Sequence, residues 1–217
     1  MLTVAILVSG LVYMWSATRG VRPLLYLAKP GTMALIIFFA ALGLNSSPSP
    51  VWGKAVLVAL LFSVVGDLFL MLPHRFIPGV VAFLIAHLCY IWGLVVGLGV
   101  GVAPPDLVTF AVFLAYGGLM HRRVTVAMKE GGHTKLVLPV AVYMTVITAM
   151  AWRSVAVLFQ PGLPVRGWLI AVGAVLFVIS DSLLAWDRFV KPIPWRSALV
   201  MGTYYTAQYC FALSVWG

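Results

Sequence analysis

Apolar runs of about 20 residues recur along the whole chain, and no other feature limits its fold so strongly. Each is long enough to cross the hydrocarbon core of a bilayer, about 30 Å thick, as a helix. Lipid offers the backbone no hydrogen bonds, so such runs become helices; a barrel would alternate apolar and polar residues, and this chain does not. Of 217 residues, 63% are hydrophobic and 9% charged, a balance that excludes a soluble globular domain. The fold class is therefore all-α: one polytopic membrane helical bundle over residues 1–217, with about eight transmembrane helices. The spans fall at about 2–18, 24–44, 53–72, 76–97, 104–121, 135–158, 166–186 and 196–216. Turn chemistry separates them, as at Asn45–Pro50, Ala103–Asp106 and Gln160–Pro164. The first span has no basic leader and no clear small-residue cleavage site, so it reads as a retained helix.

The net charge of +9 sits in the connections rather than on a binding face. Arg19, Arg22, Arg75, Arg122, Arg123, Lys129, Lys135, Arg188, Lys191 and Arg196 follow spans 1, 3, 5 and 7; only Lys54, Arg153 and Arg166 follow spans 2, 4 and 6. The positive-inside rule places the first group in the cytoplasm and both termini outside. The partner implied by these cations is the bilayer, with no role for nucleic acid, and the expected location is the plasma membrane of a bacterium. Cys89 and Cys210 lie within spans and read as small buried apolar residues, not as a disulfide framework. Trp15, Trp52, Trp152, Trp168, Trp186, Trp195 and Trp216 stand near span ends and read as an interfacial belt.

Two of the five acidic residues, Asp67 and Asp181, interrupt otherwise apolar spans. A carboxylate in hydrocarbon costs a few kcal/mol or more, so its presence there is a functional-site hypothesis. At 1.5 Å per helical residue each lies about 8–9 Å in from the cytoplasmic end of its span. Lys29 lies one to two turns into span 2. Tyr143, His87, Tyr204 and Gln208 lie deeper, up to about 18 Å from that face. Polar groups at similar depth on separate spans imply one cavity open to the cytoplasmic leaflet.

Each residue also has a plainer reading. Ser63 lies one turn before Asp67, and Ser180 and Ser182 flank Asp181, so hydroxyls or Lys29 would hold the carboxylates as buried structural pairs. Lys29-Pro30 opens span 2, where proline is cheap; Lys29 then meets either a carboxylate or a lipid phosphate. His87 shares a helical face with Phe83 and Tyr90, and a lone histidine of this kind is a core hydrogen-bond donor. A catalytic zinc takes three protein ligands, which only His87, Asp67 and Asp181 would supply, so no metal and no cofactor is expected. Tyr204 and Gln208 lie one turn apart, and Gln208 is too deep to serve as an interfacial anchor.

Five segments resemble the YhhN family, the family of the membrane lysoplasmalogenases. They are Lys29-Pro30, Gly66-Asp67-Leu-Phe-Leu-Met71, Phe76-Ile-Pro-Gly79 through Phe83 and Ala86-His87 to Tyr90, Gly173 through Ser180-Asp181, and Thr203-Tyr204-Tyr205-Thr-Ala-Gln208. The resemblance runs in order over almost the whole chain. It implies hydrolysis of the vinyl ether bond of a lysoplasmalogen to a fatty aldehyde and a glycerophospho-base, with the family's two intramembrane aspartates at Asp67 and Asp181. The substrate class is a lysolipid or ether lipid.

Vinyl ether hydrolysis begins with protonation of the alkene carbon. Water then attacks the oxocarbenium ion, and the hemiacetal collapses to aldehyde. The demand is that of glycoside hydrolysis: one acid, and one carboxylate to balance positive charge and activate water. Asp67 and Asp181 would divide those roles in either order. His87 and Tyr90 would relay protons or orient water, and Lys29 or Tyr204 would meet the headgroup phosphate. A proton-coupled lipid or small-molecule transporter would also use intramembrane Asp, His and Lys. The two halves show no repeated motif and no pair of broken helices, which argues against it.

Overall fold

A computed structural model describes residues 1–160 and 164–216. Among these residues there are eight long helices and no strand. They are α1 (Leu2–Arg19), α2 (Arg22–Gly43), α3 (Pro50–Met71), α4 (Phe76–Trp92), α5 (Pro104–Glu130), α6 (Thr134–Ala156), α7 (Pro164–Phe189) and α8 (Arg196–Leu213). A wide π turn, Gly93–Gly97, continues α4, and tight 3-10 turns continue α2 and α6. Six helices, all but α5 and α8, are long and apolar enough to cross a membrane. In α8 the threonines, tyrosines and Gln208 dilute the apolar content, and several of them turn inward. In α5 the Pro-Pro-Asp start, the Gly117-Gly118 pair and the charged last turns all dilute it.

Local chemistry sets the helix starts. Pro23, Pro50 and Pro104 occupy first-turn positions, where a missing N–H costs nothing. Ser49 caps α3: its Oγ accepts from the Trp52 N–H at 3.3 Å and donates to the Gly97 carbonyl at 2.7 Å, so one hydroxyl ties the start of α3 to the end of the π turn. Pro30 does not open α2, contrary to the sequence reading; the helix starts earlier, at Arg22, and Pro30 lies in its interior. Without an N–H at Pro30, the Tyr26 carbonyl loses its intrahelical donor, beside the cavity described below.

The helices close into a ring. α1 packs on α2, α2 on α3, α3 on α4, α4 on α6, α6 on α7, α7 on α8, and α8 returns to α1 and α2. α5 lies outside this ring, against α6 and α7. The α3–α4 seam is the tightest because small residues let the backbones approach. A Cβ on Gly66 would stand 2.6 Å from the Phe83 ring, and one on Gly93 would stand 2.5 Å from the Ala55 Cβ. Gly66 thus lets Phe83 pack directly beside Asp67.

Several expectations from composition change here. The fifth helix runs to Glu130 rather than ending near residue 121. Arg122, Arg123 and Lys129 therefore lie on its last turns, and His121 is mid-helix rather than beside a loop. The helix runs through the Gly117-Gly118 pair and projects its polar last turns beyond the apolar layer; Gly132, at φ 75°, makes the turn into α6. Trp52 is not an interfacial residue. It is fully buried, with Nε1 donating to Ser214 Oγ at 3.0 Å and its ring near Tyr90 and Phe211. Arg153 and Arg166 are buried rather than loop cations. Arg153 donates to the carbonyls of Val100 and Gly101 at 2.6 and 2.8 Å and lies 3.7 Å from Asp106, whose carboxylate accepts from the Ala103 N–H at 2.8 Å. This knot satisfies the chain end between α4 and α5. The proposed turn Gln160–Pro164 includes residues 161–163, which lie outside the described residues.

Candidate active site

One end of the ring holds a cavity of about 450 Å³, within the range of small-molecule sites. Its floor carries Lys29, Asp67, Tyr143, Asp181 and Tyr204, from five different helices. Its walls are apolar, among them Phe83, Val178 and Met201, and its rim carries the exposed arginines Arg22, Arg188 and Arg196.

Asp67 is buried at the floor, and both its oxygens are engaged. Lys29 Nζ lies 2.8 Å from Oδ1, and Tyr204 donates its hydroxyl to Oδ2 at 2.7 Å. Lys29 thus meets a carboxylate, one of the two alternatives open to it. Phe83 and Phe177 hold the Tyr204 ring in edge contacts, with centroids 6.0 and 5.5 Å away. Two donors, one of them a full cation, compensate this buried carboxylate, and removing either member of such an ion pair typically costs about 3–5 kcal/mol.

Asp181 is held differently. It is only half-buried, and none of the ion pairs among the described residues includes it. Tyr143 donates its hydroxyl to Asp181 Oδ2 in a short hydrogen bond. The same hydroxyl oxygen lies 3.0 Å from His87 Nε2. Since the tyrosine has one proton and gives it to Asp181, its oxygen accepts from His87, which fixes the histidine proton on Nε2. His87 Nδ1 has no partner among the described residues. Phe177 packs on the other edge of the imidazole at 4.7 Å, so the order His87–Tyr143–Asp181 is pinned by packing as well as by hydrogen bonds.

Not every candidate reaches the cavity. His87 stands behind Tyr143, one side chain removed from it. Tyr90 donates to Gln208 Oε1 at 2.8 Å in the core, away from the cavity wall. Ser63 is buried, and its hydroxyl makes no hydrogen bond among the described residues, to Asp67 or to any other group. Ser180 lines the cavity, but its hydroxyl donates to the Val200 carbonyl at 2.9 Å, across to α8, and not to Asp181. The carboxylates are thus held by tyrosines and a lysine, not by the neighbouring serines. For Ser180 and Ser182 helical geometry explains this: a hydroxyl adjacent in sequence points about 100° away around the helix.

The structure adds residues that sequence reasoning did not weigh. Phe177, one turn before Asp181 on the same face, braces both His87 and Tyr204; its i−4 spacing from the aspartate was the available signal. Tyr116, also unweighed, donates its hydroxyl to Ser182 Oγ at 2.7 Å and joins α5 to the site. The rim arginines looked like topology signals only. Among the described residues no three His, Cys, Asp or Glu side chains come together as a metal-ligand group.

Sequence comparisons agree on a family. The YhhN family profile matches residues 24–215. Human lysoplasmalogenase TMEM86B is 38% identical over 168 residues, which cover 77% of this chain and 66% of that protein. Human lysoplasmalogenase TMEM86A is 34% identical over 184 residues, covering 83% and 72%. A lysoplasmalogenase of Mycobacterium tuberculosis is 32% identical over 184 residues, covering 79% and 65%. The chain thus spans about two thirds of the length of these relatives. No solved structure matches it significantly.

Proposed function

The chain belongs to the YhhN family, and from this we propose that it is a multi-pass membrane hydrolase that cleaves the vinyl ether bond of a lysoplasmalogen. One observation carries the chemical reading: two carboxylates share one cavity, and among the described residues only one of them has a cation. Asp67, paired with Lys29 and capped by Tyr204, is the fixed negative charge. Asp181, bonded to Tyr143 and unpaired with any cation among the described residues, carries the proton.

The reaction follows from that asymmetry. Asp181 gives its proton to the alkene carbon, and the ether oxygen becomes an oxocarbenium ion. Asp67 stabilises that cation from the floor, where exclusion of water makes a fixed charge count for more. Asp181, now a carboxylate, takes a proton from the attacking water as a hemiacetal forms. This is the acid-then-base exchange of glycosidases. The hemiacetal collapses to aldehyde and glycerol hydroxyl, so one water is consumed and Asp181 regains its proton. Tyr143 fixes the orientation of the Asp181 carboxyl, and His87 fixes Tyr143.

The test is direct. Protein purified in non-ionic detergent, given a lysoplasmalogen, is expected to release fatty aldehyde, at a rate unaffected by EDTA or phenanthroline. Detergent micelles have no two sides, so a transporter would release none. Loss of activity on chelation, restored by zinc, would overturn the two-carboxylate scheme and make His87, Asp67 and Asp181 a ligand set.

Eight crossings with both termini outside account best for the charge bias and for the placement of the arginine rim at the end that the positive-inside rule makes cytoplasmic. With Cys89 and Cys210 replaced, cysteines at Arg75 or Lys191 are expected to resist a membrane-impermeant maleimide in intact cells, and a cysteine at Ser47 to react. Reaction of the first pair in intact cells would place the cavity on the outer leaflet.

A further inference from the structure

Three helices repeat one arrangement around the cavity. On α2, Arg22 precedes the floor residue Lys29 by seven residues; on α7, Arg188 follows Asp181 by seven; on α8, Arg196 precedes Tyr204 by eight. Seven or eight residues are close to two helical turns, so each arginine lies on the cavity side of its helix, about 10–12 Å nearer the membrane surface than the floor. All three line the cavity and all are exposed.

Two of the guanidinium groups are held in place. Arg188 stacks on Phe76, with Cζ 4.0 Å from the ring centroid, and has no carboxylate partner among the described residues. Arg196 gives Nε to Asp187 Oδ2 at 2.8 Å, which leaves its terminal N–H edge free. Asp187 also accepts from the Ile193 N–H at 2.9 Å, so the same carboxylate anchors the turn between α7 and α8. Like charges gathered at the mouth of a cavity repel one another unless an anion joins them.

Resting on the reading of the floor as a vinyl ether hydrolase, we propose that Arg22, Arg188 and Arg196 form the site for the substrate's headgroup phosphate and set its selectivity. The spacing fits. In a lysoplasmalogen seven bonds separate the protonated alkene carbon from phosphorus, a span of about 8 Å at the roughly 1.2 Å advance per bond of an extended chain. Arginine side chains bending into the cavity close the rest of the distance to the rim. Guanidinium groups suit this task because they give phosphate two parallel hydrogen bonds. Lys29, committed to Asp67, is not available for it. The phosphate would fix the register of the lipid, so that its vinyl ether, and no other segment of the chain, stops at Asp181.

The experiment compares two substrates in non-ionic detergent, where no anionic surface exists: a lysoplasmalogen, and the 1-alkenylglycerol that has the same vinyl ether and no phosphate. The wild type is expected to prefer the lysoplasmalogen in kcat/KM. Arg188→Gln is expected to shrink that preference at least about tenfold, the usual worth of a charge-assisted hydrogen bond, mainly through KM. Arg188→Lys should restore part of it. Arg22→Gln, which disturbs no ion pair or ring contact, should act in the same direction. An unchanged preference in both glutamine variants, or equal losses on both substrates, would overturn the phosphate site. A wild type that releases aldehyde from neither substrate would instead overturn the hydrolase reading of the floor.

Discussion

Asp181→Asn is expected to lower aldehyde release at least about 100-fold, the lower range for a positioned acid–base group, while thermal stability and helical content stay near wild type. The substitution keeps the shape of the side chain and its ability to accept from Tyr143, so the His87–Tyr143 link survives. It removes the acidic proton that the alkene carbon needs. No ion pair is broken, because none among the described residues involves Asp181. Turnover above a tenth of wild type, measured as aldehyde per protein in detergent, would remove Asp181 from the acid role.

Asp67→Asn is expected to lose activity on the same scale and also to lose stability. The amide leaves the Lys29 ammonium buried without a counter-charge, a defect of about 3–5 kcal/mol. Loss of function in this variant alone would not separate chemistry from folding. The double variant Asp67→Asn with Lys29→Met does separate them. It deletes both charges of the pair, so melting in detergent is expected to recover toward wild type while aldehyde release stays at least about 100-fold down. Recovery of turnover together with stability would make Asp67 a structural partner of Lys29 and nothing more.

The aspartates were legible in the sequence because a charge in an apolar run has no competing explanation of equal weight. The helices themselves were legible for the same reason of contrast. Where contrast fades, so does the reading. The last turns of α5 are polar, and a polar helix projecting into water has the composition of a loop, so its end at Glu130 was not visible. Trp52 stands near a helix start, where a belt residue belongs, yet the Ser214 hydroxyl just past the end of α8 draws its indole into the core. Depth along a helix is readable, but azimuth against a neighbour is not. For that reason Lys29, Tyr143 and Tyr204 could be placed at similar depths, while the pairings Lys29–Asp67, Tyr204–Asp67 and Tyr143–Asp181 needed the packed bundle. Ser180 and Ser182 misled by adjacency to Asp181, since neighbours in sequence face different ways on a helix. The rim arginines were accounted for by topology alone until three helices brought them to one cavity mouth.

Proton transfer to carbon at the vinyl ether is the central claim, and heavy water tests it most directly. Purified protein is incubated with a lysoplasmalogen in deuterium oxide, and the aldehyde is trapped and analysed by mass spectrometry. Protonation of the alkene carbon followed by attack of water requires one deuterium on the carbon next to the aldehyde group, with the glycerophospho-base released in equal amount and the signal absent with Asp181→Asn. Aldehyde lacking that deuterium, or no aldehyde at all from folded wild-type protein, would contradict it.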